Sequence, residues 1–406
     1  MRKIFLLLLF NLCFFSGFCA QKDTLTISGL HYEDGSPVSV SILDGRIVKI
    51  TRLSGNDNVP AFYIAPGLID IQVNGFMGVD FGGDDLTPEG IRRATRELRS
   101  KGVTLFLPTV ITNSHEKLMK SFSVLSAVLD DPEIGSSIPG FHLEGPYISL
   151  LEGYRGAHPE KYVRKPDWAE FLELQKAARN KIVLVTVAPE VEGAIAFIRK
   201  CTESGVVVAL GHHNGTAEKI KEAVDAGASL STHLGNGCAN TINRHLNPLW
   251  PQLADDRLAI SIIADGYHLT REEVQCFYKM KGPERTMLVS DALDLAGLPP
   301  GEYKRGERII LLTPYVAKYP AENVLAGAAA TLDADVINIM KFTQCSLKDA
   351  INMASKTPAR LLHLNETGEI RQGKRADLIL FTIEEGKLII KKTIVAGKTV
   401  YVKNSF

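Results

Sequence analysis

Six polar side chains stand out because each closes a run that is otherwise apolar. They are Gln72 in LIDIQVNG, Glu144 in HLEGP, His212 in GHHNGT, His233 in STHLGN, His268 in IIADGYH and Asp291 in LVSDA. Glu144, His212 and His233 make a set of one carboxylate and two imidazoles. That set suits zinc or a similar divalent ion and leaves a coordination position for water, which hydrolysis requires. Taken singly, each imidazole would serve equally well as a hydrogen-bonded core histidine. Glu144 is harder to explain that way, because an unpaired carboxylate in an apolar strand is costly to bury. Asp291 ends the last of the runs. Beside an activated water, its carboxylate can take a proton and return it to the leaving group, which an amide needs because an amine anion leaves badly. The alternative for Asp291 is a helix N-cap at the turn after the strand.

Convergence of such distant residues requires a scaffold that gathers strand ends. Strand-like runs alternate with helix-like ones through the middle of the chain: FYIAPGLIDIQ, VTLFLPTV, IPGFHLEG, KIVLVTVAPE, VVVALGHH, ASLSTHL, LAISIIADGYH and RTMLVSDA. Eight β-like runs with mostly helical connections predict an α/β chain folded as a TIM-like (β/α)8 barrel, whose C-terminal rim is where active sites form. One apolar strand ending in histidine would mean little; five or six ending in polar residues point to a site. The two chain ends read differently, being rich in β-branched residues and punctuated by EDGS, LDGR, EEGK and AGK turns. They predict one small β-sandwich domain assembled from both termini. The expected divisions are a signal segment over 1–20, the small domain over 21–63 and 366–406, and the barrel over 64–365.

Composition narrows the partners. The chain has 406 residues, 45% hydrophobic and 23% charged, with 46 basic and 46 acidic side chains. Nothing in that balance recommends nucleic acid or an acidic membrane. Arg2 and Lys3 precede the apolar run IFLLLLFNLCFF and the small residues of SGFCA, the plan of a secretory signal peptide too short to span a bilayer stably. Export to the periplasm or cell envelope is expected, with an uncleaved anchor as the alternative. Phe18 suits neither cleavage after Ala20 nor a lipid anchor on Cys19. Cys201, Cys238, Cys276 and Cys345 contain no CxxC pair, which argues against a cysteine zinc site. They are expected to be buried small apolar side chains, disulfides being the alternative in an oxidising compartment.

PGLIDIQVNG, HLEGP, RGAHP, GHHNGT, THLGNG, IIADGYH and LVSDA occur in this order. Across about residues 60 to 405 the chain resembles the N-acetylglucosamine-6-phosphate deacetylase family of the amidohydrolase superfamily. In many members of that family, Gln and Asn replace a His-x-His pair where this chain has Gln72 and Asn74. The resemblance implies a single divalent metal ion, zinc with iron, manganese or cobalt as alternatives, held by Glu144, His212 and His233. It implies Asp291 as the acid/base and His158 as the histidine that helps polarise the amide carbonyl. Asn236, Gly237, Arg244 and His268 match positions that hold the sugar and its phosphate, and Leu325, Ala326 and Gly327 match a substrate-contacting loop. A homodimer acting on a small amino-sugar substrate is implied as well. His142, His213 and His245 are read as structural or rim residues.

This chain departs from the family pattern at Gly237, where Ala is common, at HLNPLWPQLADD after Arg244, and around LDLAGLPPGEYKRGERI. These departures surround the substrate loops. With the export signal, they open a second reading, an exported amidohydrolase for unphosphorylated N-acyl sugars, N-acyl amino acids or cyclic amides. A non-catalytic binding protein would be expected to have lost ligands or the acid/base, yet Glu144, His158, His212, His233 and Asp291 are all present.

Overall fold

Several helices start where the sequence supplies a side-chain cap. Pro88–Ser100 begins after Thr87, whose side chain accepts from the Gly90 amide, and it buries Ile91, Ala94, Thr95 and Leu98 on one face. His115–Ser126, Trp168–Ala177 and Ala217–Asp225 are capped in the same way by Ser114, Asp167 and Thr216. Arg271–Lys281 has a full capping box between Thr270 and Glu273. The computed structural model describes residues 24–54, 59–305, 308–314, 316–321 and 324–403. The expected signal segment, with Cys13 and Cys19, lies outside the described residues. Among the described residues, no helix is long and apolar enough to cross a membrane.

Between these helices run eight parallel strands: Leu68–Val73, Val103–Ile111, Phe141–Glu144, Ile182–Val187, Val207–Leu210, Leu230–Ser231, Ala259–Ile262 and Thr286–Leu288. They neighbour one another in chain order. First and last meet through a parallel bridge between Val73 and Ala292, with the Asp291 amide donating to the Gln72 carbonyl at 3.0 Å. The sheet is thereby nearly closed into the expected (β/α)8 barrel. Its interior is filled by Ile69, Ile71, Leu105, Leu107, Leu184 and their neighbours, while outward-facing residues of the same strands pack on the helices.

Both chain ends build the second sheet. Its strands are Leu25–His31, Pro37–Leu43, Arg46–Arg52, Tyr63–Pro66, Leu378–Glu384, Lys387–Val395 and Lys398–Val402, mostly antiparallel. The sheet folds back on itself, so the Gly45 turn meets Ala396 and Gly397 and the Ala376 amide donates to the Gly45 carbonyl at 2.8 Å. The run FYIAPGLIDIQ, read as one barrel strand, is in fact two. Tyr63–Pro66 pairs with Leu378–Glu384 in the sheet of the chain ends, and the chain passes to the barrel strand at Gly67. A Cβ there would lie 2.1 Å from Thr104, so only glycine lets the chain step between the two sheets.

A four-stranded antiparallel sheet over Gly301–Arg305, Arg308–Leu312, Val316–Tyr319 and Val324–Ala328 stands on the barrel rim after the eighth strand. The sequence suggested only reshaped loops there. Leu325, Ala326 and Gly327 therefore belong to a strand rather than a loop, because Ile310, Leu312, Tyr319 and Ala326 share an apolar cluster with Leu293 and Leu295. The expectation of four buried cysteines also needs correction: Cys201 is buried, Cys238 and Cys345 are half-buried, and Cys276 is exposed on its helix, all four as free thiols.

Candidate metal centre

At the C-terminal rim of the barrel, the Glu144 carboxylate and the His212 and His233 imidazoles converge until their donor atoms all lie within 4.8 Å of one another. Glu144 is the last residue of its strand, and His212 and His233 each follow theirs by two residues. Glu144 Oε1 stands 2.9 Å from His233 Nε2 and 3.4 Å from His212 Nε2. His212 Nδ1 is 3.0 Å from the Tyr154 carbonyl, so it carries the proton and leaves the Nε2 lone pair facing the carboxylate. An acceptor nitrogen aimed at an acceptor oxygen needs a cation or an extra proton between them, and a divalent ion supplies the cation. The donor set therefore fits a metal ion, and the backbone agrees. His212, His233 and Asp291 all have left-handed φ, at 52°, 27° and 47°. Such strain costs about 1–3 kcal/mol per residue and persists where function demands a side chain in one place.

All these groups are buried, and burial sets their charge. Burial alone would raise the Glu144 carboxyl, yet the two imidazoles beside it, His233 with Nε2 at hydrogen-bond distance, hold it well below the usual range. Burial pushes the His158 imidazolium down to about 3, with His212 adding to the effect. Its Nδ1 is 2.8 Å from Thr112 Oγ1 and its Nε2 is 3.3 Å from His212 Nε2. Asp291 is shifted the other way, upward, by burial and then by the Glu144 charge. Its Oδ1 accepts from Asn74 Nδ2 at 2.6 Å and from Gln72 Nε2 at 3.1 Å, and Gln72 Nε2 also donates to Glu144 Oε1 at 2.8 Å.

The structure thus brings Glu144, His158, His212, His233 and Asp291 into one cluster. Gly237 lies against it: a Cβ there would sit 2.7 Å from His212 Nδ1, at a φ of +62°. Asn236 is beside it, with Nδ2 buried and without a partner among the described residues. Gly327 reaches the cluster through the rim sheet, 3.3 Å from the Asp291 carbonyl by its Cβ position, whereas Leu325 lies further along that strand. His268, six residues beyond its strand rather than at its end, is held by Asp265 at 2.7 Å from Nδ1. Arg244 is not brought in: it is exposed, with Nε 3.0 Å from His245 Nε2. His142 lies inside the barrel against Thr186, His213 is buried, and His245 is exposed on the rim. Sequence reasoning missed Thr112, although it is a polar residue just past the second apolar strand and followed the same rule as the others. It also missed Asp265, and it gave Gln72 and Asn74 no task.

Residues 63–400 match the model of the amidohydrolase family. The chain is 30% identical to an N-acetylglucosamine-6-phosphate deacetylase of Lysinibacillus sphaericus, over 89% of this chain and 92% of that protein. It is 32% identical to the Caenorhabditis elegans enzyme of the same name, over 89% and 88%. The chain belongs to the N-acetylglucosamine-6-phosphate deacetylase family of amidohydrolases. Solved structures agree on the fold of this family member. The Thermotoga maritima enzyme superposes with a TM-score of 0.82 at 30% identity, covering 93% of this chain and all of that one. A Mycobacterium smegmatis enzyme, solved as an Asp-to-Ala mutant with N-acetyl-D-glucosamine-6-phosphate, gives 0.83 at 27% identity over 93% and 99%.

Proposed function

We propose that this chain hydrolyses the amide of N-acetylglucosamine 6-phosphate or a related N-acetyl amino sugar, releasing acetate and the free amine. The observation that carries this reading is the cluster of two imidazoles and a carboxylate with Asp291 beside it, in a chain whose relatives bear the deacetylase name. Glu144, His212 and His233 would hold one divalent ion, zinc first, with iron, manganese or cobalt as alternatives. Such an ion supplies Lewis acidity toward water and the acetyl carbonyl. Asp291 takes the proton from the attacking water and gives it to the departing nitrogen. Its upward shift, caused by burial and the Glu144 charge, favours proton uptake by a group that must both accept and donate. His158 stays neutral because of its burial. With Thr112 bonded to Nδ1, the Nε2–H faces the cluster and can donate to the carbonyl oxygen.

Asn236, Gly237, His268 and the Leu325–Gly327 strand would bind the sugar, the unpartnered Asn236 amide and the braced His268 being the groups best placed to donate to hydroxyls or phosphate. Arg244 would add charge recognition of the phosphate within a homodimer. The second reading, an unphosphorylated N-acyl substrate outside the cytoplasm, draws support from the apolar run behind Arg2 and Lys3 and from the exposure of Arg244. Acetate release from N-acetylglucosamine 6-phosphate and N-acetylglucosamine, side by side, tests both. Preference for the phosphate that is lost in Arg244→Ala supports the first reading. Preference for the free sugar, unchanged in that variant, supports the second, and release from neither sinks the amino-sugar substrate while leaving N-acyl amino acids or cyclic amides as the class to assay. Export is tested by the N-terminal residue and the cell fraction of the mature protein.

A further inference from the structure

The first barrel strand ends in two amides whose task the function above leaves open. We propose that Asn74 and Gln72 are positioning residues for Asp291, fixing its carboxylate by donating to the same oxygen, Oδ1, so that Oδ2 is left to take and return the proton. This rests on the deacetylase reading for its consequence, but its geometry stands on the chain alone. The closing of the barrel puts the three residues together: the Asp291 amide donates to the Gln72 carbonyl at 3.0 Å, and the Asn74 amide to the Ala292 carbonyl at 2.9 Å. Side chains then follow, with Asn74 Nδ2 at 2.6 Å and Gln72 Nε2 at 3.1 Å from Asp291 Oδ1.

The amide chemistry makes the arrangement directional. Gln72 Nε2 has two hydrogens and two carboxylate acceptors, Glu144 Oε1 at 2.8 Å and Asp291 Oδ1, so both donors are used. An amide nitrogen has no lone pair to offer a cation. With their nitrogens turned to carboxylates, these residues orient acidic groups where imidazoles would instead add ligands. Asp291 needs such bracing because its backbone holds a left-handed φ of 47° and a second carboxylate, Glu144, stands on the other side of the Gln72 amide. A carboxylate that can rotate presents either oxygen, and a misaligned proton acceptor loses rate without losing substrate.

The test uses Asn74→Leu and Gln72→Met, which keep volume and remove the donors, with Asn74→Ser as a milder variant retaining a donor. Acetate release, bound metal per chain and the crystal structure of each purified variant are measured. Asn74→Leu is expected to lower kcat about 10- to 100-fold with KM within about threefold, to keep its metal, and to show the Asp291 carboxylate rotated or in two positions; Asn74→Ser recovers part of the rate. In an Asp291→Asn background, Asn74→Leu is expected to add no further loss, because there is no proton acceptor left to align. An unmoved Asp291 carboxylate, or a loss that is additive to Asp291→Asn, overturns the proposal. Should the parent release no acetate from any N-acetyl sugar while the variants still let Asp291 turn, the deacetylase reading falls and the positioning stands.

Discussion

Replacing Asp291 by Asn removes a proton acceptor while leaving nearly everything around it in place. An asparagine carbonyl oxygen can still accept the hydrogen bonds that Asp291 Oδ1 receives from Asn74 at 2.6 Å and Gln72 at 3.1 Å. None of the three groups that converge on the metal centre is changed. The variant should therefore fold, bind its metal and bind substrate. What it lacks is a group to take the water's proton and deliver it to nitrogen, a contribution of about 10²–10⁴ in rate for general acid/base catalysis. Here one residue serves both transfers, so the upper part of that range applies, about 10³–10⁴. This corresponds to about 4–5.5 kcal/mol of barrier. The assay is acetate release under saturating substrate, with metal content and melting temperature measured on the same preparation. A kcat within tenfold of the parent would refute the proton-transfer role, and loss of metal with the activity would show that Asp291 acts as a ligand.

Other perturbations separate the remaining roles. His212→Ala should lose most of its bound metal at equal protein concentration, because a three-donor site cannot spare one; unchanged metal content would mean the ligand set is wrong. Thr112→Val removes the hydroxyl bonded to His158 Nδ1 and should lower kcat about fivefold, the worth of one neutral hydrogen bond of about 1 kcal/mol. A parental rate would show that His158 needs no such partner. Asp70 gives a pH prediction. It is fully buried, and burial raises its carboxyl from 3.8 to about 7. Because the folded value lies above the unfolded one, its contribution to stability is full below about pH 4 and is lost as pH rises through about 7. Asp70→Asn keeps an oxygen to accept from the Gln72 and Ser290 amides and should stabilise the protein at pH 8 by about 2–4 kcal/mol. Urea titrations at pH 5 and pH 8 check this, and equal effects at both would contradict it.

The rim sheet and the two amides show where reading the sequence stopped. Strand ends carrying Glu144, His212, His233 and Asp291 were visible because a polar residue closing an apolar run is a local signal. Thr112 obeyed the same rule and was passed over, since a threonine in a β-rich stretch has an ordinary structural explanation. Asp265 was hidden for another reason: its importance lies in holding His268 at 2.7 Å, a contact made by a turn after the strand. The four strands over 301–328 have half-exposed, weakly alternating patterns. They are held by an apolar cluster shared with Leu293 and Leu295, which no window of sequence displays.

By itself the sequence determined the order of eight apolar strands, the mostly helical connections between them, and the residue types able to hold an ion and move a proton. These are properties of neighbours along the chain, set by hydrophobic period and side-chain chemistry. Only the tertiary structure decided that Gly67 divides one apolar run between two sheets, that Arg244 stays at the surface, and that Gln72 and Asn74 donate to Asp291 across the seam of the barrel. Each of these depends on closure of the barrel or on folding of the terminal sheet. Such closure brings together groups more than 200 residues apart, and their distance in space is set by strand register rather than by anything either segment carries alone.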